Sequence, residues 1–210
     1  MKLIIIGARP DGMAHVLLEA ARAAGEHQVL AFADETPGRG GTSLFRLPVI
    51  GAPSEIPRHR AALGIEGAFI AIGDGKARLR LGDLCRSFGL VLPSIIHPAA
   101  IVSPSARVGI GVYLGQGVQV LPGARVGDFC MVNAVAVVSH HVRLEDAITI
   151  GPNGTVSGRS SLGSGVLLGA GATVLPDIAV GAGAIVGAGA VVTRDIPDGV
   201  RVAGIPARPM

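Results

Sequence analysis

The stretch from Val166 to Thr193 reads VLLGAGATVLPDIAVGAGAIVGAGAVVT. Aliphatic residues return at Leu168, Val174, Val180, Val186 and Val192, six places apart each time. Gly, Ala and Pro fill much of the space between them. A period of six fits neither the 3.6-residue turn of an α-helix nor the two-residue alternation of a simple hairpin. It fits short parallel strands joined by tight corners, three strands to a coil, which is the hexapeptide parallel β-helix. Traced outward, the six-residue blocks run without a gap from Pro93 to Arg194, and all seventeen aliphatic positions, Ile96 to Val192, are Val, Ile or Leu. Two places before them the residue is usually small or medium, as at Ala106, Ala124, Cys130, Ala136, Ala172, Ala184 and Ala190. These small residues are expected to let the chain turn. One coil is then eighteen residues, and residues eighteen apart stack at about the 4.8 Å strand spacing.

The composition agrees with a narrow, regular interior. The chain has 210 residues, is 49% hydrophobic, and has 32 glycines but only 3% aromatics and no Trp. Ser160 to Pro176 and Ile178 to Thr193 are uncharged runs, but each is shorter than the ~20 residues of a membrane span and is broken by Gly. Met1-Lys2 leads directly into an apolar strand with no cleavage-type site, so no signal peptide and no membrane insertion are expected, and the location expected is cytoplasmic. Net charge is only +3, with no basic run interleaved with aromatics, which points to an anionic small molecule rather than nucleic acid. Cys85 and Cys130 lack metal-type spacing and are expected to be buried free thiols.

Residues 1–92 have a different texture. Lys2 to Ile6 is an apolar strand ending at Gly7, Gly12 to Gly25 has helical spacing, and Gln28 to Ala33 is a second strand followed by Asp34. A third strand near Ala68 to Ile72 ends at Gly73-Asp74-Gly75, and Lys76 to Phe88 reads as a helix. This alternation predicts a Rossmann-like α/β domain with a mainly parallel sheet, whose ligands sit outside the carboxyl ends of the strands. Gly7, Asp34, Gly73, Asp74 and Gly75 fall at those ends. The loop Gly7 to Met13 is neither G-x-G-x-x-G nor a P-loop, so a nucleotide or nucleotide-sugar site of looser design is expected, with a plain structural turn as the alternative. The coil domain spans 93–210.

Two histidines stand together in the coil, His140 and His141. His140 follows inward Val138 by two places, in the column Pro104, Pro122, His140, Gly158, Pro176, Arg194. Proline suits such a corner and histidine does not obviously help it. Gly158, one coil on, leaves an open notch with a backbone N–H in reach. Acyl transfer needs a base to take a proton and a donor to hold an oxyanion. A surface corner histidine and a metal ligand are the competing readings of His140. For His141, adjacent residues of extended chain point opposite ways, so it need not share the pocket, and it stands as a modulator of His140, as a sugar contact or as a solvent-facing residue.

Several motifs resemble one family. These are Ala71-Ile72-Gly73-Asp74-Gly75, Ile95-Ile96-His97-Pro98, the N-x-x-A-x-V-x-H run from Asn133 to His140, and the closing Gly204-Ile205-Pro206-Ala207-Arg208. They resemble the nucleotide-sugar acetyltransferases of the sialic acid O-acetyltransferase, bacillosamine and perosamine N-acetyltransferase type. The resemblance implies a left-handed coil, a homotrimer, acetyl-CoA as cosubstrate with no metal, and a nucleotide-activated amino sugar bound by the first domain, in polysaccharide biosynthesis. It implies His140 as general base, the Gly158 N–H as oxyanion donor, and Asn133 near the sugar. It also places Gly7, Met13, Asp34, Gly73, Asp74 and Gly75 at the nucleotide sugar, and Ala170, Ala188 and Arg208 at CoA. The sequence departs from the family at three points. Met13 in a longer loop replaces the histidine of G-x-G-G-H, Gly75 replaces an Asn, and His141 replaces the Asp or Glu that follows the coil histidine. N-acetylation of an amino sugar is the leading expectation. O-acetylation, a non-catalytic nucleotide-sugar-binding protein and a metal-dependent carbonic anhydrase on the same coil are the alternatives.

Overall fold

The computed structural model describes residues 1–210. The chain divides into two compact units, Met1–Ile96 and His97–Met210. In the first, β1 (Lys2–Ile6) lies between β2 (Gln28–Ala33) and a later strand, Gly67–Ile70, and pairs with both in parallel. A central strand covered on both faces must be apolar throughout, and Leu3 to Ile6 are fully buried. Helix α1 (Met13–Ala24) makes the crossover from β1 to β2, burying Ala14, Leu17, Leu18 and Ala21 at helical spacing and ending on left-handed Gly25.

Between β2 and the third sheet strand lie elements for which the sequence shows no period. A small hairpin pairs β3 (Ser43–Leu44) with β4 (Leu47–Pro48), and α2 (Ile56–Leu63) is a short helix that buries only Ile56. The hairpin turns through Phe45 and Arg46, both with positive φ, where Asn and Gly are usual. Phe45 stacks on His15 with ring centroids 4.1 Å apart, which compensates the strained turn. The strand Gly67–Ile70, now β5, leads into α3 (Gly75–Ser87).

The second unit is a coil of two-residue strands in parallel sheets, with partners eighteen residues apart, as in Gln119↔Val137 and Arg125↔Arg143. The final coil is shorter, since Ile185 pairs with Arg201, and the chain closes with Arg208–Pro209 antiparallel to Arg201–Ala203. The aliphatic positions from Leu114 to Val192 are buried in one continuous core, each fully buried Val or Leu contributing roughly 1.5–3 kcal/mol. The small residues two places earlier do not make the turn, contrary to expectation. Ala124, Cys130, Ala136, Ala172, Ala184 and Ala190 point inward and are fully buried. The same inward place holds fully buried Val112, Val118, Val142, Ile148 and Val166 in other blocks.

The turn itself is made three places after each inward aliphatic residue, with φ in the left-handed region at every sixth position from Gly111 to Gly189. Half of these fourteen positions are Gly; the others are Phe129, Val135, His141, Ala147, Asn153, Arg159 and Asp177. One step before the left-handed residue, the backbone N–H meets no backbone carbonyl in any coil. The chain fills that place with a residue that lacks the donor at Pro122, Pro152 and Pro176. Elsewhere an aspartate one coil on accepts it: Ile110 N–H donates to Asp128, Asp128 N–H to Asp146, and Ala182 N–H to Asp198. Where neither device is present, a free main-chain donor remains.

Candidate active site

In the α/β unit, a cavity of about 510 Å³ opens at the carboxyl ends of β1, β2 and β5, lined among others by Gly7, Arg9, Met13, Asp34 and Gly73. Gly7 has φ 107°, and a Cβ there would come 3.0 Å from the Ala71 carbonyl oxygen, so only glycine brings β1 this close to the end of β5. Asp74 and Gly75 stand outside the lining. Asp74 instead caps α3, its carboxylate accepting the Lys76 N–H at 2.9 Å.

Asp34 is buried and braces the rim. Its carboxylate accepts the Ala8 N–H at 2.6 Å and the Thr36 N–H at 2.8 Å. Burial opposes its ionisation, but hydrogen bonds from the Thr36 side chain and the Ala8 and Thr36 amides outweigh it, helped by Arg39, and the carboxyl stays below its usual range. A depressed folded pKa stabilises above the unfolded value near ~3.9 and is lost as pH falls through the lower folded value. Asp34→Ala is expected to destabilise the protein by roughly 1–3 kcal/mol at pH 7 through two orphaned amides. The difference from wild type should shrink in acid, and urea titrations at pH 7 and below pH 4 check both.

Two arginines that the sequence reading passed over shape this cavity. Arg39 donates to the Ala8 carbonyl at 2.7 Å. Arg78 is fully buried and donates to the carbonyls of Ile72 and Gly73 at 2.9 and 2.7 Å, fixing the loop after β5. Its signal was its phase: Arg78 shares the buried face of α3 with Leu81 and Cys85. Cys85, also on that face, has its thiol pushed up to about 12 by burial and is inert.

In the coil, His140 is exposed at a corner, and its ring lies directly over Gly158. A Cβ on Gly158 would fall 2.5 Å from both Cε1 and Nε2 of the ring. Gly158 is buried, and its N–H is one of the free main-chain donors, with no hydrogen-bond partner in the chain. A base and an unspent amide therefore share one notch. The Arg159 and Asp177 side chains pair beside it through two contacts of 2.6 Å. Asp177 is held below the usual carboxylate range first by that bond.

His141 does not follow extended geometry, so the expectation of opposed side chains is corrected. It occupies the left-handed step with φ 58°, and its Nδ1 lies 3.2 Å from Nδ1 of His140. Asn133 stands at the preceding corner, its amide donating to the Ile150 carbonyl at 2.7 Å. Ala170 and Ala188 belong to that same edge, and both of their N–H groups are free. Arg208 is exposed, bonded to the neighbouring Ala207 carbonyl. No group of three or more His, Cys, Asp or Glu side chains is arranged to hold a metal ion, and no helix is long and apolar enough to cross a membrane.

A hexapeptide coil with a histidine over a free amide, carried with an α/β unit that holds a nucleotide-sized cavity, defines a coil-type acyltransferase. Residues 2–83 match the PglD N-terminal domain family, and residues 159–194 match the bacterial transferase hexapeptide family. PerB from Caulobacter crescentus, solved with CoA and GDP-perosamine, is 40% identical over all of this chain and 97% of its own, with TM-score 0.92. The acetyltransferase domain of PglB from Neisseria gonorrhoeae FA1090, solved with acetyl coenzyme A, is 33% identical over 100% of this chain and 98% of that one, with TM-score 0.88. No curated protein matches by sequence. The chain belongs to the nucleotide-sugar acetyltransferase family of the perosamine and bacillosamine type.

Proposed function

We propose that this protein transfers the acetyl group of acetyl-CoA to the amino group of a nucleotide-linked amino sugar. The observation that carries it is the notch in which the Nε2 edge of His140 lies over Gly158 and its unpartnered N–H. The neutral amine attacks the thioester carbon, a C–N bond forms, and the carbonyl oxygen becomes an oxyanion that accepts the Gly158 N–H. His140 takes a proton from the nitrogen. The intermediate collapses, the C–S bond breaks, and the thiolate of CoA leaves and receives that proton. The relative solved with GDP-perosamine makes this nucleotide sugar the first acceptor to test. CoA release in the presence of acetyl-CoA and GDP-perosamine supports the reading. Release that is equally fast when the acceptor's amino group is replaced by a hydroxyl overturns it in favour of O-acetylation.

The cavity of the α/β unit, with Gly7, Met13, Asp34 and Gly73 in its wall, takes the nucleotide in this reading. The free amides of Ala170 and Ala188 hold the pantetheine arm, and Arg208 offers charge to the phosphates of CoA. The corner of Ala170 already contains Pro98 and Pro152, so Ala170→Pro is expected to fold while deleting one donor. Its KM for acetyl-CoA should rise about 5- to 10-fold, the worth of roughly one hydrogen bond, with kcat little changed; Ala170→Ser should match wild type. Steady-state kinetics at varied acetyl-CoA decides this.

His140 and the Ala170–Ala188 column lie on successive edges of one coil. A homotrimer that sets one copy's Ala170 edge beside the next copy's His140 edge would complete the site, and exposed Ile101 and Val135 supply apolar surface for such packing. In this reading the enzyme works in the cytoplasm, in polysaccharide biosynthesis.

A further inference from the structure

The two rings of the histidine pair lean opposite ways along the coil. His140 leans forward over Gly158. His141 leans back over Gly123, where a Cβ would fall 2.9 Å from its Cδ2 and 3.1 Å from its Nε2. Each ring thus rests on a glycine, and the rings meet edge to face, 79° apart, with their Nδ1 atoms 3.2 Å apart.

Two imidazole nitrogens at that distance bond only if one of them carries a proton and the other a lone pair. If His141 donates, a neutral His140 must carry its proton on Nε2, and the nitrogen over Gly158 has no lone pair left for the acceptor amine. If His140 donates, its Nε2 is free. The tautomer of a histidine is set by the hydrogen bond its other nitrogen makes. We infer that His141 is a positioning residue: it accepts the Nδ1–H of His140 and so keeps Nε2, the nitrogen beside the free Gly158 amide, unprotonated. The inference rests on the reading of His140 as the base.

The proton inventory closes. His141 keeps its own proton on Nε2, the edge seated against Gly123. When His140 takes a proton from the amine on Nε2, it becomes an imidazolium that still donates to His141 through Nδ1. No net charge is placed on His141 at any step. This differs in kind from an acid at the same place, which would lend a negative charge to the imidazolium. Here the partner fixes orientation and tautomer, while the charged groups beside the pair, Arg159 and Asp177, are committed to each other.

The test uses the full-length enzyme with acetyl-CoA and GDP-perosamine. Glycine is the deletion of choice, because φ 58° strains alanine but not glycine. His141→Gly is expected to lower kcat by ~10- to 100-fold, short of the loss of the base itself, with both KM values within about two-fold. His141→Asp, which accepts and tolerates left-handed backbone, is expected to restore kcat; His141→Lys, which only donates, is not. In 15N spectra of the imidazoles, His140 is expected as the Nδ1–H form in wild type and to lose that form in His141→Gly. Unchanged kcat in His141→Gly, equal rescue by Lys and Asp, or an unchanged His140 tautomer overturns the positioning role. If His140→Ala is inactive in the same assay, the base reading survives that failure. An active His140→Ala overturns both.

Discussion

Replacing His140 with alanine is expected to lower kcat by ~100- to 10,000-fold, the usual worth of a positioned general base. KM for acetyl-CoA should barely move, because the amides assigned to the pantetheine arm lie on another edge of the coil. Stability should also hold. His140 is exposed, its ring contributes nothing to the buried core, and its place in the coil is one that Pro122 and Pro176 fill in neighbouring turns. Thermal unfolding of the variant therefore separates a chemical loss from a structural one. A variant that is as stable as wild type and still acetylates GDP-perosamine at the wild-type rate would remove His140 from the mechanism.

The second large effect is expected at Gly158. Its φ lies outside the left-handed region, so alanine is conformationally acceptable there. The added methyl would nevertheless sit 2.5 Å from Cε1 and Nε2 of His140, and the ring must move away. A displacement of about 1 Å at a reacting group costs on the order of 100-fold in rate. Gly158→Ala is thus expected to lose about that much in kcat while keeping its N–H and its fold. Gly→Ala at a compatible position commonly adds ~0.4–1 kcal/mol of stability, so the predicted signature is an enzyme that is slower yet no less stable. Kinetics paired with urea unfolding would show it, and full activity in a stable Gly158→Ala protein would mean that the ring does not work from the notch.

Much of the coil was legible because its signal repeats. Seventeen aliphatic residues in step fix the inward column, and with it the corner of His140 and the place of Gly158 above it. The left-handed step was not legible. Phe129, Val135 and Asp177 occupy it as well as glycine, because eighteen-residue stacking and buried neighbours hold the turn against the strain a side chain brings there. That is why His141 read as a neighbour pointing away, and why the contact between the rings emerged only in three dimensions. In the α/β unit the strand ends were legible, but the duties of their acids were not. Asp34 and Asp74 stand one after β2 and the other before α3, and both spend their carboxylates on their own backbone. Arg78 was hidden by its charge, though its helical phase marked it as buried.

The N–H left unspent before several of the left-handed steps has a consequence for how such a site can change over generations. A donor that belongs to the main chain survives every substitution but one, so side chains at Ala170 or Ala188 can drift freely while the contact is inherited intact. Only proline erases it, and the coil accepts proline there without complaint. Duplicating eighteen residues would add three more such places in register, one to each edge. A thread-like ligand can therefore be given a longer track by copying a repeat, with no new pocket to invent.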